Sequence, residues 1–344
     1  MKAYRIYGAH DGRYEELPDP EIGPDDALLR PRAVTVCGTD LEIYQGTMFY
    51  FTSGLAKYPI ILGHEWSAEV LAVGRNVKNV RPGDKVVGEC TVSCGECEYC
   101  RKGWYNQCPD RKETGILNLD GGFSDRMRYP ANFLHTFTKM TYEEAAMVET
   151  TAVSVYGVKL VHTGPGDYVA ILGPGPIGLE ALQAAKAYGA RKVVVIGGRP
   201  NRRDLAVSLG ADAVIDPRTQ DLVAETLRLT DGRKFDVVIE ATGNPAVCRD
   251  LMKITRPRGR ISLIGLFNSQ VGELDLDAFV VNNITLQGSL GSPNVWDETI
   301  HLMETGRIRT APLITARMPL ASVPDVFRMM AEKRPDLVKV VLLP

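Results

Sequence analysis

The pattern of apolar and polar positions changes near residue 150 of this 344-residue chain. Beyond that point, short continuous apolar runs alternate with stretches of helical periodicity. Continuous apolar runs are typical of strands buried on both faces, so the alternation predicts a parallel sheet that helices cover on both sides. The predicted strands span 168–172, 192–196, 213–215, 235–240, 260–264 and 284–287, and predicted helices span 177–188, 202–209 and 222–229. Six strands joined in this way predict a doubly wound dinucleotide-binding domain.

The residues before this point are patterned differently, with β-like runs separated by Gly-, Pro- and Asp-rich turns. These runs include 27–31, 70–73 and 85–88. We predict a β-rich first domain over 1–152 and the nucleotide domain over 153–290. Residues 291–344 are too few for a third independent domain beside this one, so we expect them to return to the first.

Composition narrows the class of protein. Apolar residues make up 44% of the chain and charged residues 24%, which is ordinary for a globular protein with a packed core. A formal net charge of −2 argues against a nucleic-acid partner and gives no sign of attraction to a membrane surface. The N-terminus has no apolar signal-peptide core, and no apolar run is long enough to predict a transmembrane helix. We expect a cytoplasmic protein whose seven cysteines are reduced.

Four cysteines lie within one short stretch with the spacing C-x2-C-x2-C-x7-C, namely Cys94, Cys97, Cys100 and Cys108. Four closely spaced thiolates predict a tetrahedral zinc site, and such a site is structural because no coordination position stays open for a substrate. A pair of disulfides and an iron–sulfur cluster are the alternatives. A reducing environment favours metal over disulfides.

A glycine-rich turn follows the first predicted strand of the nucleotide domain. It has the form G-x-G-x-x-G between a strand and an apolar helix, which is the setting that binds a dinucleotide pyrophosphate at a helix N-terminus. A plain glycine-rich turn is the alternative. The candidate cofactor-binding residues of this turn are Gly173, Gly175, Pro176, Ile177 and Gly178.

The end of the second predicted strand bears on which cofactor is used. NAD-binding domains place an acidic residue there to bond the ribose hydroxyls, but this strand ends in Gly197, Gly198 and Arg199. Glycine leaves room for a 2′-phosphate and arginine can pair with it, so the sequence favours NADP over NAD. Arg203 is a further candidate, although Arg202 and Arg203 could equally form a solvated first helical turn.

Two motifs in the first domain carry residues that bind catalytic zinc in other proteins. They are Cys37-Gly-Thr-Asp40 and Gly63-His64-Glu65. A catalytic zinc keeps three protein ligands and one open position. A lone cysteine or histidine is commonly just a core residue, so these motifs gain meaning only beside the four-cysteine stretch and the nucleotide domain.

Taken together, the chain resembles the zinc-dependent medium-chain alcohol dehydrogenases, in the branch of sorbitol and threonine dehydrogenases, over essentially its whole length. This resemblance implies a GroES-like, β-rich catalytic domain beside an α/β Rossmann domain with a doubly wound parallel sheet. The motifs that carry it are Cys37-Gly-Thr-Asp40, Gly63-His64-Glu65, Val80-Arg-Pro-Gly-Asp84, the four cysteines, Glu149, the turn at 173–178 and Asp236-Val-Val-Ile-Glu-Ala-Thr-Gly243.

The resemblance also implies ligands for a catalytic zinc. Cys37 and His64 correspond to its fixed ligands. Glu65 is the third ligand or a carboxylate close to the metal, and Glu149 matches an acidic position that this branch uses directly or through water. Asp40 is expected to bond the ring nitrogen of His64 that faces away from the metal.

Proton transfer is the second function that the resemblance assigns. The Thr39 hydroxyl corresponds to the first step of a relay that continues to the cofactor ribose, and Thr242 and Gly243 become further cofactor-binding candidates. Two positions depart from the family pattern, namely Ala68 in place of glycine and Glu42 in place of a relay histidine. Glu42 is a candidate proton carrier or substrate contact, and an exposed helical charge is the equal alternative.

The substrate is expected to be a small hydroxylated molecule. The segment 45–58, between the two ligand motifs, is expected to line its pocket with the aromatic residues of Phe49-Tyr50-Phe51. Polar surroundings rich in glutamate, together with these aromatic residues, would suit a polyol, sugar, cyclitol or aminocyclitol; the glutamates are Glu42, Glu65, Glu89 and Glu149. A zinc-independent, quinone-reductase-like NADPH reductase and a non-catalytic NADP-binding sensor are the competing interpretations.

Assembly is the last expectation from the sequence. The apolar segment 284–290 would be the edge strand of the nucleotide domain, and an unpaired apolar edge favours pairing with a second copy. We therefore expect a homodimer or a homotetramer.

Overall fold

A computed structural model describes residues 1–267 and 275–344 of the chain. The first of its two compact units consists of Met1–Glu149, Trp296–Glu304 and Thr310–Pro344, and the second of Thr150–Val295 and Thr305–Arg309. The main boundaries therefore follow residues 149 and 295, a few residues from the positions that the sequence indicates.

The regular elements are as follows. The strands are β1 (Lys2–Gly8), β2 (Asp11–Glu16), β3 (Asp26–Thr35), β4 (Ile60–Ile61), β5 (Glu65–Val73), β6 (Lys85–Gly88), β7 (Thr91–Val92), β8 (Lys112–Thr114), β9 (Asn118–Leu119), β10 (Met127–Pro130), β11 (Leu134–Thr136), β12 (Tyr168–Leu172), β13 (Lys192–Ile196), β14 (Ala213–Ile215), β15 (Phe235–Glu240), β16 (Thr255–Leu263), β17 (Thr285–Gly288), β18 (Ile314–Pro319) and β19 (Lys339–Leu343). The α-helices are α1 (Gly38–Gln45), α2 (Phe49–Thr52), α3 (Glu98–Arg101), α4 (Tyr142–Ala145), α5 (Val148–Leu160), α6 (Pro176–Ala187), α7 (Pro200–Ser208), α8 (Leu222–Leu229), α9 (Pro245–Ile254), α10 (Leu276–Asn282), α11 (Trp296–Glu304) and α12 (Val323–Ala331).

The second unit is built on a parallel sheet with the order β14-β13-β12-β15-β16-β17 among the described residues. This is the order of a doubly wound dinucleotide fold, with the first strand of the unit at the centre. The central strands β12 and β15 are buried along their whole length, which explains their continuous apolar sequences. The fold class expected from the sequence is therefore confirmed.

Strand β16 begins five residues earlier than the predicted bound of 260. Thr255 already pairs with Phe235, and the ladder shifts register before Arg260 pairs with Val237. The extra residues between the two pairs include Pro257. Because proline is typical of turns, the sequence pattern does not predict the first part of this strand.

The first unit is β-rich and mostly antiparallel. Its largest sheet has the order β11-β6-β5-β3-β19-β18, and β10 also pairs with β3. Smaller sheets have the orders β2-β1-β4 and β7-β8-β9. Because the last strand, β19, pairs with β3, the C-terminal segment completes the sheet of this unit.

The core of the first unit fixes the loop that precedes β5. Trp66 and Phe123 are buried there, and Gly63 adopts a positive φ of 91°. A Cβ at Gly63 would lie 2.4 Å from the ring of Phe123, so the loop requires glycine at this position. The constraint holds His64, the next residue, at the start of the strand.

Candidate functional site

The four clustered cysteines are arranged as a metal site. Their sulfurs lie within 4.8 Å of one another, with neighbouring distances of 3.4 Å (Cys97–Cys100), 3.6 Å (Cys108–Cys94) and 3.9 Å (Cys94–Cys100). A tetrahedron with zinc–sulfur bonds of about 2.3 Å has edges of roughly 3.8 Å. All four are free thiols rather than disulfides, so the donor set and its spacing fit zinc.

A second group of metal-binding side chains consists of Cys37, His64 and Glu65, whose ligand atoms also lie within 4.8 Å of one another. Strand pairing brings them together. Thr35 at the end of β3 pairs with Glu65 at the start of β5, so the residues just beyond this pair, Cys37 and His64, become neighbours. One thiol and one imidazole, together with a buried carboxylate, are a donor set that zinc accepts.

Asp40 ties the two ligand-bearing segments together. This buried carboxylate accepts hydrogen bonds from the backbone nitrogens of Cys37, at 2.8 Å, and Gly63, at 3.2 Å. Its Oδ1 lies 3.5 Å from Nδ1 of His64, which leaves Nε2 on the side of Glu65. A carboxylate beside the distal ring nitrogen orients a ligating histidine.

Glu65 is fully buried and forms an ion pair with Lys339 from β19. The ammonium lies 2.7 Å from Oε1 and 2.5 Å from Oε2, and the Thr35 hydroxyl donates to Oε2. Burial alone would raise the pKa of Glu65, but Lys339 and the neighbouring His64 lower it, so this carboxyl is held ionised. Both of its oxygens are thus engaged by the protein.

Replacing Lys339 with methionine should destabilise the protein strongly. The change leaves the charge of Glu65 buried without its partner, which costs about 3–5 kcal/mol. We expect a loss of this size in the free energy of unfolding of the zinc-loaded protein, measured by urea denaturation. Lys339→Arg, which keeps the charge, is the matched control, and a loss below about 1 kcal/mol in Lys339→Met would show that the pair is not what compensates Glu65.

Glu149 lies in the first turn of α5 and is 8% exposed. Burial is the largest effect on its carboxyl group and, with a contribution from the charge of Glu65, raises its pKa to about 7. His64 acts in the opposite direction, which places Glu149 within electrostatic reach of the metal-binding group. Its carboxylate nevertheless lies outside the tight set of three ligands.

Three further polar residues were predicted to act in catalysis or substrate binding in the first unit, and their surroundings differ. The Thr39 hydroxyl lies 3.9 Å from the sulfur of Cys37, beside the metal-binding group. Glu42 is partly exposed on α1. Glu89 instead bonds Tyr105, at 2.6 Å, and His135, at 3.0 Å, so it belongs to a structural network.

The glycine-rich turn of the second unit joins β12 to α6. Gly173 has a φ of 97°, and Gly175 is the N-cap of the helix. A Cβ at Gly178 would lie 1.9 Å from the carbonyl oxygen of Gly173, so only glycine allows this close approach. A Cβ at Gly173 would lie 2.6 Å from Thr242, which places that predicted residue against the turn. The turn leaves the helix N-terminus available to a phosphate group.

The glycines after β13 exclude larger side chains. A Cβ at Gly197 would lie 2.2 Å from the ring of Pro174, and one at Gly198 would lie 2.4 Å from Nε of Arg218. Arg218 is a residue that sequence reasoning missed, because it follows β14 and no motif marks it. Its guanidinium donates to the Gly198 carbonyl and occupies the space beside this strand end.

Three arginines, Arg199, Arg202 and Arg203, follow Gly198 in the sequence, and their surroundings differ. Arg203 forms an ion pair with the buried Asp216 at 2.8 Å. Arg202, which was not among the predicted cofactor contacts, lies 3.7 Å from the position that a Cβ on Gly175 would occupy. Burial, followed by the charge of Arg199, lowers the pKa of Arg202 to about 10. Two cations at the phosphate-binding turn would be stabilised by an anion.

Sequence reasoning also missed residues close to the metal-binding group. Lys339 stands in the last strand, far from any motif, and the signal for it is a lone lysine in an apolar strand. Cys90 and Glu113 carry no spacing signal either; the charges of Glu149, Glu113 and Cys37 all act on the buried thiol of Cys90.

Comparisons with known proteins agree with this geometry. The model of the alcohol dehydrogenase GroES-like domain matches residues 23–139, and that of the zinc-binding dehydrogenase domain matches residues 176–305. The sorbitol dehydrogenase of Bacillus subtilis (strain 168) is 32% identical, with 100% of this chain and 97% of the relative covered. An L-threonine 3-dehydrogenase of Symbiobacterium thermophilum is 36% identical, with 100% and 98% covered. A zinc-binding dehydrogenase of Sinorhizobium meliloti 1021, solved with NADP bound, has a TM-score of 0.91 at 29% identity, with 100% and 99% covered.

The chain therefore belongs to the zinc-dependent medium-chain alcohol dehydrogenases, in the branch of sorbitol and threonine dehydrogenases. It is an oxidoreductase of alcohols, and zinc and a nicotinamide cofactor are the groups that its family uses. In the described part of the chain, no helix is long and apolar enough to cross a membrane.

Proposed function

We propose that the protein interconverts a secondary alcohol of a polyhydroxylated substrate and the corresponding ketone, with NADP as the preferred cofactor. The observation that carries this proposal is the open donor set of Cys37 and His64 with two buried carboxylates, in a chain that also holds an arginine-lined phosphate turn. The closed four-cysteine site would be structural. Its free thiols suit a reducing compartment, and we propose the cytoplasm.

Cys37, His64 and Glu149 would hold the catalytic zinc. Glu65 is already engaged by Lys339, so we assign it the role of an orienting charge beside the metal. When bound, zinc supplies the Lewis acidity that lowers the pKa of the alcohol. The Thr39 hydroxyl, 3.9 Å from the Cys37 sulfur, would accept the proton and pass it on.

Two features support a preference for NADP. Neighbouring atoms leave no room for a side chain, and hence for a carboxylate, at Gly197 and Gly198, and the cationic Arg199 and Arg202 follow them in the chain. No carboxylate stands at the strand end to bond an unphosphorylated ribose or to repel a phosphate. The guanidinium of Arg202, held beside Gly175, is suited to a 2′-phosphate oxygen.

A substrate panel run with both cofactors tests the proposed function. We expect higher kcat/KM for polyols and cyclitols than for simple aliphatic alcohols, and higher kcat/KM with NADP than with NAD. Arg202→Ala should lower kcat/KM for NADP roughly 10- to 100-fold, the effect of one lost charge-assisted hydrogen bond. Arg228→Ala, which removes an exposed arginine from α8, is the control. A preference for NAD or for simple alcohols would contradict the proposal.

We also propose that the chain forms a homodimer or homotetramer through the edge of the parallel sheet. All four residues of β17 are exposed at this edge, and α10 exposes Val280 (75%) and Val281 (77%). Within 1–267 and 275–344, β17 pairs only with β16, and such an edge beside exposed apolar side chains suits pairing with a second copy. Analytical ultracentrifugation should show a dimer or tetramer that Val281→Asp dissociates, whereas Val207→Asp, at another exposed valine, should not. A monomeric wild type would refute the assembly.

A further inference from the structure

Glu113 on β8 is a buried carboxylate that the protein satisfies on one side only. The residue is 7% exposed. Its Oε1 accepts hydrogen bonds from Nε of Arg111, at 3.0 Å, and from the hydroxyl of Tyr50, at 3.2 Å. Its Oε2 has no hydrogen bond to any residue in 1–267 or 275–344. An ionised carboxylate has acceptor sites on both oxygens, so one side of this group remains available.

The side chains around Glu113 hold it in place. Nη2 of Arg111 donates to the Tyr50 hydroxyl at 3.1 Å, and its guanidinium lies 5.9 Å from the centre of the Tyr50 ring. Nη1 of Arg111 reaches the Cys108 carbonyl at 3.4 Å, which links the cluster to the four-cysteine site. Arg111 compensates the charge of Glu113, so the free oxygen suits a neutral hydroxyl donor better than a second cation.

Backbone contacts place the turn that follows β8 beside the segment that carries His64. Thr91 of β7 pairs with Glu113. Two residues further on, a Cβ at Gly115 would lie 2.8 Å from the backbone nitrogen of Gly63, which immediately precedes His64. Glu113 therefore precedes, by two residues along the chain, the glycine that contacts the loop of His64.

Electrostatics and chain position agree with this placement. Burial is the largest effect that raises the pKa of Cys90, and the charges of Glu149, Glu113 and Cys37 follow in that order. The charges of Glu113 and of two candidate zinc ligands, Glu149 and Cys37, therefore act on the same thiol. Tyr50, the other partner of Glu113, lies in the segment between the two ligand motifs that the sequence assigns to the substrate pocket.

We propose that Glu113 selects substrates with a second hydroxyl group: its free Oε2 accepts a hydrogen bond from a hydroxyl adjacent to the reacting carbinol. This inference rests on the proposed function and names its substrate class as vicinal diols and polyols rather than simple secondary alcohols. A substrate without that hydroxyl forms one hydrogen bond fewer to a charged group, and a loss of this kind corresponds to roughly 10- to 100-fold in kcat/KM.

The test compares 2,3-butanediol with 2-butanol, which lacks the neighbouring hydroxyl. It uses the full-length, zinc-loaded enzyme with its preferred cofactor. The wild type should favour the diol roughly 10- to 100-fold in kcat/KM, and Glu113→Met should reduce this ratio to within about threefold of unity. Glu98→Gln, which changes an exposed glutamate of α3, should keep the wild-type ratio. If Glu113→Met does not fold, Glu113→Gln serves instead, and its ratio should fall at least about threefold because the amide is a weaker acceptor.

Other outcomes separate this inference from the proposed function. If Glu113 has only a structural role, its replacement should lower kcat/KM by the same factor for both substrates. An unchanged ratio of kcat/KM for the diol to kcat/KM for 2-butanol, in a folded variant, would overturn the proposal. A preference for 3-amino-2-butanol over the diol would overturn the choice of a hydroxyl donor. Failure of the wild type to oxidise any polyol or alcohol with either cofactor would instead refute the proposed function itself.

Discussion

Replacing Cys37 with serine should abolish turnover in a protein that stays folded. Cys37 is the thiol of the open donor set and lies outside the four-cysteine site. In the proposed function, its loss would remove one ligand of the catalytic zinc. A contribution of about 4 kcal/mol to transition-state stabilisation corresponds to a fall of roughly 10³-fold in kcat. Steady-state kinetics and the urea midpoint, measured on the same preparation, test this expectation.

A matched cysteine is available as a control. Cys248 is buried in α9 of the second unit and belongs to neither metal-binding group. Cys248→Ala should retain turnover, and any effect should fall on stability. If Cys37→Ser kept more than about a tenth of wild-type kcat, Cys37 would not be a ligand of the catalytic metal.

The second large effect is expected on stability rather than on chemistry. Cys97→Ser would remove one of the four proposed ligands of the structural zinc, and metal binding at such sites contributes directly to folding, by about 10–16 kcal/mol in small zinc domains. We expect a loss of at least about 3 kcal/mol, and hence a fall in melting temperature of roughly 6–12 °C. Differential scanning calorimetry measures it, and turnover per folded molecule should persist at low temperature.

The opposite result would contradict the assignment of a structural role to the four-cysteine site and a catalytic role to the site of Cys37. If Cys97→Ser lost turnover while its melting temperature stayed at the wild-type value, the four-cysteine site would not be structural. Lys102→Ala, in the same lobe but with its side chain half exposed, controls for changes that merely disturb the surface.

The parallel sheet could be predicted from the sequence almost residue by residue. Strands β12 to β15 are short, continuous and apolar, and a strand buried on both faces admits few other patterns. β16 was the exception, because Pro257 and its neighbours in the early part of the strand look like a turn. The register shift of β16 depends on its pairing with β15, so it cannot be predicted from the sequence of β16 alone.

The metal-binding groups were predictable for a different reason. Cys37 and His64 stand in short motifs, and the four cysteines lie close together in the sequence as well as in the structure. The surroundings of these groups were not predictable, because Lys339 reaches Glu65 only through the pairing of β19 with β3 and of β3 with β5, which joins distant parts of the chain. Contacts of that kind depend on the tertiary fold and leave no periodic signal in the sequence.

The surroundings of the arginines near the glycine-rich turn could not be predicted from the sequence either, although these residues are close to one another in the chain. Sequence position suggested Arg199 and Arg203, but the helical geometry of α7 directs Arg203 to Asp216 and holds Arg202 beside Gly175. Residues 202 and 203 differ by about 100° around the helix axis, so adjacent positions face different surroundings. Their assignment to the cofactor stays a proposal that the kinetics of Arg202→Ala test.

Zinc content tests the central claim most directly. The purified chain, dialysed against metal-free buffer and measured by elemental analysis, should contain two zinc ions per chain. Cys37→Ser should contain one, with turnover lost in proportion to the missing metal. A wild-type content of one or none with full turnover, or full turnover in Cys37→Ser with one zinc, would contradict a zinc-dependent dehydrogenase with separate catalytic and structural sites.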